Sequence, residues 1–121
     1  MEDRPTPLRV DIRSTDRSVV VLEAVGGIDA FSASTLRLPF RGLLEAGNRH
    51  FVIDFGRVEL LDGVVGIRAV ARVWLAIKAR GGTLALAGPS SVREAVLAAG
   101  LQHTLTVHDT VDEAIRAHVE P

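Results

Sequence analysis

The chain alternates between short apolar runs and longer stretches in which apolar residues recur every three or four positions. Alternation with period two, or an unbroken apolar run rich in β-branched residues, indicates a strand. The run "HFVIDF" is typical of a strand that is buried on both faces. The pattern predicts five strands, of which the last is weak: residues 8–14, 18–27, 50–55, 83–88 and 103–109.

Four stretches have helical spacing. The longest carries Ile67, Val70, Trp74 and Ile77 on one side, with basic residues on the other. The first predicted helix begins at Ser32 or Ser34 and ends at residue 45. The other three span residues 64–80, 89–100 and 111–119.

Local signals refine the helix ends. Ser32 or Ser34 is expected to cap the first helix, and Ser90 or Ser91 the third. Pro39 lies inside the first helix, where proline removes a backbone hydrogen bond and clashes with the preceding turn. We therefore expect a kink or a late start there.

The order of the elements predicts an α/β fold. After an opening hairpin, strands and helices alternate strictly, which favours parallel strands joined by right-handed crossovers. We expect a mixed sheet of four to five strands, with about four helices mainly on one side and the other side facing solvent. The hairpin should form an edge, strands 50–55 and 83–87 should be interior, and Trp74 should be partly buried. Residues 1–7 are interpreted as a flexible lead, and 8–119 as a single domain.

Composition narrows the class of protein. A chain of 121 residues with 47% hydrophobic residues fits one domain with one core. Its 14 basic and 15 acidic residues create no overall field for nucleic acid or an anionic membrane. There is no cysteine, the first residues are charged, and no apolar run approaches the ~18 residues of a membrane span. We expect a small cytoplasmic domain.

Catalytic and metal chemistry find little support. His108-Asp109 is the one adjacent histidine–acid pair, and no Gly-x-Ser-x-Gly turn supplies a nucleophile. No histidines or carboxylates have the spacing of metal ligands on a helix, and the paired glycines lack the Walker pattern. Arg68 and Arg72 form a short basic stripe, which favours a solvated helix face over a nucleic-acid site. We therefore expect that the protein is not an enzyme and that it binds neither a metal ion nor a cofactor.

The stretch "LLDGVVGI" is the most informative motif, because a loop after a strand there meets the start of the longest helix. A helix N-terminus presents unpaired N–H groups and partial positive charge, which suit a phosphate or a partner's carboxylate. The alternative is that Asp62 simply caps the helix and that the glycines ease the turn.

Four segments in order resemble the STAS domain, the fold of bacterial anti-sigma factor antagonists. They are "GGIDAFSASTLR", "HFVIDFGRVELLD", "RGGTLALAGPSSVREAVLAAGL" and "VHDTVDEAI", and the resemblance runs from about residue 8 to 119. It implies a protein-interaction module of a sigma-factor partner-switching pathway. Its partner would be an anti-sigma factor of the serine-kinase type or another STAS-pathway protein.

The resemblance also shows what this chain lacks. The family signature at the helix start is D-[ST]-[ST]-G-[LIV], and its second hydroxyl is phosphorylated by the partner kinase. This chain reads D-G-V-V-G-I, so Val65, or Val64 with the gap placed later, stands at the phosphoacceptor position. Neither can accept phosphate, so this chain is not expected to be switched at the usual site.

The expected binding surface joins the loop after the second strand to the start of the longest helix. Asp29 and Asp62 would meet basic or N–H groups of the partner, and Val64 and Val65 would supply apolar contact. The expected partner-binding residues are Gly27, Asp29, Ala30, Phe31, Ser32, Asp62, Gly63, Val64, Val65, Gly66 and Arg68. The alternative function is a structural subunit of a stressosome-like or transporter-associated assembly, and a module that binds a small ligand ranks third. We expect a monomer or weak homodimer that neither binds nucleic acid nor inserts into a membrane.

Overall fold

In the computed structural model, residues 7–16, 18–61 and 63–119 are described. Strands and helices alternate after an opening hairpin, as the sequence predicts. The elements are β1 (Arg9–Asp16), β2 (Val19–Ile28), a 3₁₀ turn (Ala30–Ser32), α1 (Ala33–Glu45), β3 (His50–Leu61), α2 (Gly63–Ala79), β4 (Thr83–Ala87), α3 (Ser90–Ala98), β5 (Thr106–His108) and α4 (Val111–Val119).

The strands form one mixed sheet in the order β1-β2-β3-β4-β5. β1 and β2 pair antiparallel, with an irregularity between Ile12 and Ser14, and all later neighbours pair parallel. The hairpin therefore forms one edge, and β3 and β4 lie in the interior, so both expectations are confirmed. Parallel strands bring their carboxyl ends to one edge of the sheet, where the loops leading into α1 and α2 begin.

Two apolar clusters lie on opposite faces of the sheet. Helices α1, α2 and α3 pack on one face, where Leu22, Phe51 and Ile53 contribute to the larger cluster, and Trp74 packs partly buried against it. α4 packs on the other face through Ala114 and Ile115, against small and β-branched residues of β2, β3 and β4. The helices thus lie mainly on one side, but the second face is not wholly solvent-facing, because α4 covers part of it.

Strand β3 is six residues longer than predicted. Its second half pairs with the end of β2, where Arg57 lies opposite Val25 and Leu61 opposite Ile28, with register shifts on either side of Gly26. Within β3, only residues 50–54 pair with β4. The sequence 56–61 contains a glycine and charged residues, so its strand structure depends on this one neighbour rather than on an apolar pattern.

Helix starts differ from two sequence expectations. α1 begins at Ala33 with Pro39 inside it, so of the expected kink or late start, the late start is wrong. Burial of Leu36, Phe40 and Leu44 stabilises the helix and offsets the one backbone bond that proline removes. In α3 the N-cap is Pro89, and Ser90 and Ser91 are already helical, so neither caps this helix.

Candidate functional site

The loop after β2 is fixed by an interlocked pair of side chains. Asp29 Oδ1 accepts one hydrogen bond from the Phe31 backbone N–H at 2.8 Å. It also lies within hydrogen-bonding distance of Ser32 Oγ, at 3.0 Å. Ser32 Oγ accepts a hydrogen bond from the Asp29 N–H at 3.2 Å and lies 3.1 Å from the Gly27 carbonyl oxygen. Short polar side chains commonly stabilise turns by bonding nearby backbone in this way. One oxygen of Asp29 is therefore engaged within the loop.

Ser32 has a structural role in this loop. It stands at the N-cap position of α1, but its side chain makes no capping hydrogen bond to the helix. The residue is 8% exposed, and its hydroxyl group lies among Gly27 and Asp29. The hydroxyl is consequently a poor target for modification or for direct contact with a partner.

The same turn holds Phe31 outside the core. Phe31 is 94% exposed, the largest exposed fraction among the exposed large hydrophobic residues of the described chain. Its backbone N–H is tied to Asp29, so the loop presents the ring from a constrained position. A large apolar side chain held in water by a fixed turn is a suitable contact for a partner.

The start of α2 lies beside this turn, since the 3₁₀ turn contacts α2. Val65 is 45% exposed, whereas Val64 is intermediate and Ile67 is buried. Of the two candidate phosphoacceptor positions, Val65 is thus the more accessible. Asp62 lies outside the described residues, as does the side chain of Ala30, so the predicted roles of Asp62 stay predictions.

Gly66 explains how closely α2 approaches the sheet. A Cβ atom at this position would stand 2.8 Å from Leu61 Cδ1 and 3.0 Å from the Ile28 carbonyl oxygen. Atoms as close as 3.0 Å or less do not fit without displacement of the helix. The absence of a side chain therefore lets the N-terminal turn of α2 pack against the ends of β2 and β3, next to the loop that carries Phe31.

The structure brings the two predicted halves of the candidate site together, and further exposed residues of α2 lie on the same side as Arg68. Arg68 is exposed, as expected for a contact residue, and Arg72 and Leu75 continue the same exposed side of α2. The helical spacing of positions 65, 68, 72 and 75 could have indicated this, because side chains three and four residues apart share a face.

The cavities and the His108-Asp109 pair lie away from this surface. Cavities of about 410 and 400 Å³ border β5, and His108 lines both, but no predicted site residue that the structure describes does. Asp109 Oδ1 lies 3.7 Å from Arg93 Nη2, so this carboxylate pairs with an arginine. No group of three or more histidine or acidic side chains among the described residues could hold a metal ion. In the part of the chain that the structure describes, no helix is long and apolar enough to cross a membrane.

The family of the chain follows from its sequence as well as its fold. The family model of the STAS domain matches residues 10–114, so the chain belongs to the STAS domain family. No curated protein matches the chain at a significant level.

Solved structures with the same fold include several anti-sigma factor antagonists. An antagonist from Mycobacterium paratuberculosis superposes with a TM-score of 0.74 at 23% identity, covering 91% of this chain and 92% of that one. The antagonist SpoIIAA in its unphosphorylated form gives a TM-score of 0.72 at 22% identity, covering 93% of this chain and 97% of that one. The Bacillus cell fate determinant SpoIIAA in its phosphorylated form gives a TM-score of 0.66 at 22% identity, covering 90% of this chain and 98% of that one. Likeness at these identities is likeness of fold.

Proposed function

We propose that this STAS domain is an anti-sigma factor antagonist: a non-enzymatic module that binds an anti-sigma factor of the serine-kinase type. The family membership and the shared fold of known antagonists support the proposal. No cofactor is needed for such a role, since the product of the interaction is a protein complex that leaves the sigma factor free.

The observation that carries the proposal is the exposed apolar pair at the carboxyl edge of the sheet. Phe31 and Val65 are both exposed, on a turn and a helix start that contact each other. Exposed apolar groups contribute about 25 cal/mol per Å² when a partner buries them. Aromatic residues near the centre of an interface often dominate its affinity. Both side chains are therefore available to a partner on neighbouring segments of the surface.

The proposed antagonist is not switched by phosphate at the usual site. Residues 63–66 read Gly-Val-Val-Gly and contain no hydroxyl group. In a phosphorylatable relative, nearly two added negative charges at this position would disrupt a packed contact. This chain would instead remain competent to bind, and its abundance would set the amount of complex.

Isothermal titration with each purified serine-kinase anti-sigma factor of the same genome tests the proposal. At least one should bind, and preincubation with ATP should leave the affinity unchanged, because the contact has no phosphoacceptor. The absence of binding to all of them would contradict the proposal. Copurification of the chain with a large STAS or transporter assembly would then favour a structural-subunit role.

A further inference from the structure

The exposed side of α2 carries two arginines that form no ion pair with a carboxylate of the described residues. Val65, Arg68, Arg72 and Leu75 are all exposed and follow one another at spacings of three and four residues. We call these four residues the α2 stripe. Among the described residues, no carboxylate forms an ion pair with Arg68 or Arg72, although five other arginines of the chain do.

The neighbouring helix strengthens this local charge. α1 packs beside α2 and exposes Arg37 and Arg41, and its one acidic residue, Glu45, lies 3.6 Å from Arg41. Together α1 and α2 contain five basic residues and one acidic residue. The whole chain contains 14 basic and 15 acidic residues, so the remainder is acidic, with nine basic and fourteen acidic residues. The basic character is therefore concentrated on one side of the molecule.

We infer that the α2 stripe docks an acidic surface of the anti-sigma factor, whose carboxylates pair with Arg68 and Arg72. The inference rests on the proposed function and specifies the chemistry of the partner. Guanidinium groups bind carboxylates through two parallel hydrogen bonds, and two arginines one helical turn apart can engage two acidic side chains. Val65 and Leu75 lie at the two ends of the pair and exclude water from it.

A protein partner fits this stripe better than nucleic acid or an anionic membrane does. Apolar side chains make up half of the stripe, and the described residues of α2 include no aromatic residue on its exposed side on which bases could stack. The formal net charge of the chain is −1, which gives no long-range attraction to phosphate polymers. Arginine is enriched at the cores of protein interfaces, and apolar residues beside it are typical of such interfaces.

Charge reversal at Arg72 tests the inference. Arg72→Glu and the double variant Arg68→Glu/Arg72→Glu are titrated with the anti-sigma factor that binds the wild type. Arg116→Glu, an exposed arginine of α4 on the other face of the sheet, is the matched control. We expect Kd to rise at least about tenfold for Arg72→Glu and further for the double variant. Arg72→Lys should keep more of the affinity, and Arg116→Glu should match the wild type.

Salt and competitor measurements complete the test. Wild-type affinity should fall between 50 and 500 mM NaCl, and the double variant should lose most of this dependence, since surface ion pairs are screened by salt. Wild-type affinity in Arg72→Glu with unchanged salt dependence would overturn the inference and leave the proposed function intact. Binding of a short duplex DNA through the same arginines would also overturn it. If no anti-sigma factor binds the wild type, the proposed function fails and the inference with it.

Discussion

Gly66 lies directly against Ile28, because a Cβ atom at position 66 would stand 3.0 Å from the Ile28 carbonyl oxygen. This contact joins the start of α2 to the end of β2, the two segments that form the candidate binding surface. The oxygen is a backbone atom of a buried strand end, so it cannot rotate away as a side chain can. The glycine therefore sets how closely the start of α2, which carries the exposed Val65, approaches the end of β2 and the loop that carries Phe31.

Replacing this glycine should cost stability. We expect Gly66→Ala to lower the free energy of unfolding by about 1–3 kcal/mol, because α2 must shift to admit the methyl group. Gly42→Ala is the matched control, since Gly42 is also helical and its Cβ would meet nothing within 4 Å. That change should stabilise the protein by about 0.5–1 kcal/mol through helix propensity. Urea denaturation measures both, and equal stability of Gly66→Ala and the wild type would refute the packing argument.

The Asp29–Ser32 pair should behave as one unit. Ser32→Ala removes an acceptor from the Asp29 N–H, and Asp29→Ala removes an acceptor from the Phe31 N–H. Each should lower the free energy of unfolding by about 1–2 kcal/mol. The double variant should cost less than the sum of the two, because the side chains share their hydrogen bonds. A double-mutant cycle by chemical denaturation measures the coupling, and strict additivity would show that the two side chains act independently.

Phosphorylation by a serine-kinase anti-sigma factor should leave residues 62–66 unmodified, because this segment contains no hydroxyl group. Ser34 and Thr35 are the exposed hydroxyl residues nearby, whereas Ser32 is buried and hydrogen-bonded. Val65→Ser should be mild for folding and provides the positive control for kinase access. Mass spectrometry after incubation with ATP gives the result. Stoichiometric phosphate on wild-type Ser34 or Thr35 would mean that the switch has moved rather than been lost.

Glu23, an acidic residue of β2, tests whether ion pairs of a mostly buried carboxylate contribute net stability. Its side chain is mostly buried, with Arg13 and Arg57 at 3.8 and 3.6 Å, and its Oε1 has no hydrogen-bond partner among the described residues. Removal of both cations in Arg13→Ala/Arg57→Ala should lower the free energy of unfolding by about 1–3 kcal/mol, because a poorly solvated carboxylate remains. Glu23→Leu should be neutral or stabilising, since the apolar side chain needs no counter-ion. Thermal denaturation distinguishes the two, and strong destabilisation by Glu23→Leu would show that the ion pairs contribute net stability.

Sequence periodicity predicted most elements because the sheet face and the helix faces that form the core are continuously apolar. It could not predict the second half of β3, where Gly56 and Arg57 obscure the pattern and pairing with β2 decides the structure. Nor could it assign α4 to the opposite face, because an amphipathic pattern shows which side of a helix is buried but not against what.

The candidate site was predictable in part. The glycines and valines of the α2 start marked its location, and the family resemblance marked the missing hydroxyl. Exposure of Phe31 was not visible in the sequence, since it results from a local turn held by Asp29 rather than from a periodic pattern. The sequence analysis noted Arg72 beside Arg68 but interpreted both as a solvated helix face, because a basic residue on a helix is most often solvated.

The central claim is that the exposed apolar contact at the start of α2 binds the anti-sigma factor, and Val65→Glu tests it most directly. A carboxylate at a helix start is tolerated, and the helix dipole favours it by roughly 0.3–1 kcal/mol. Within the contact the same charge is desolvated, and it would compete with the partner's carboxylates for Arg68 three residues later, so binding should lose several kcal/mol. Leu97→Glu, an exposed apolar position on α3, is the matched control.

The decisive measurement is the affinity of Val65→Glu for the anti-sigma factor by isothermal titration, together with its melting temperature. We predict that melting barely changes, that affinity falls by at least about a hundredfold, and that Leu97→Glu binds as the wild type does. Wild-type affinity in Val65→Glu would contradict the account, and would place the partner contact on another surface of the domain.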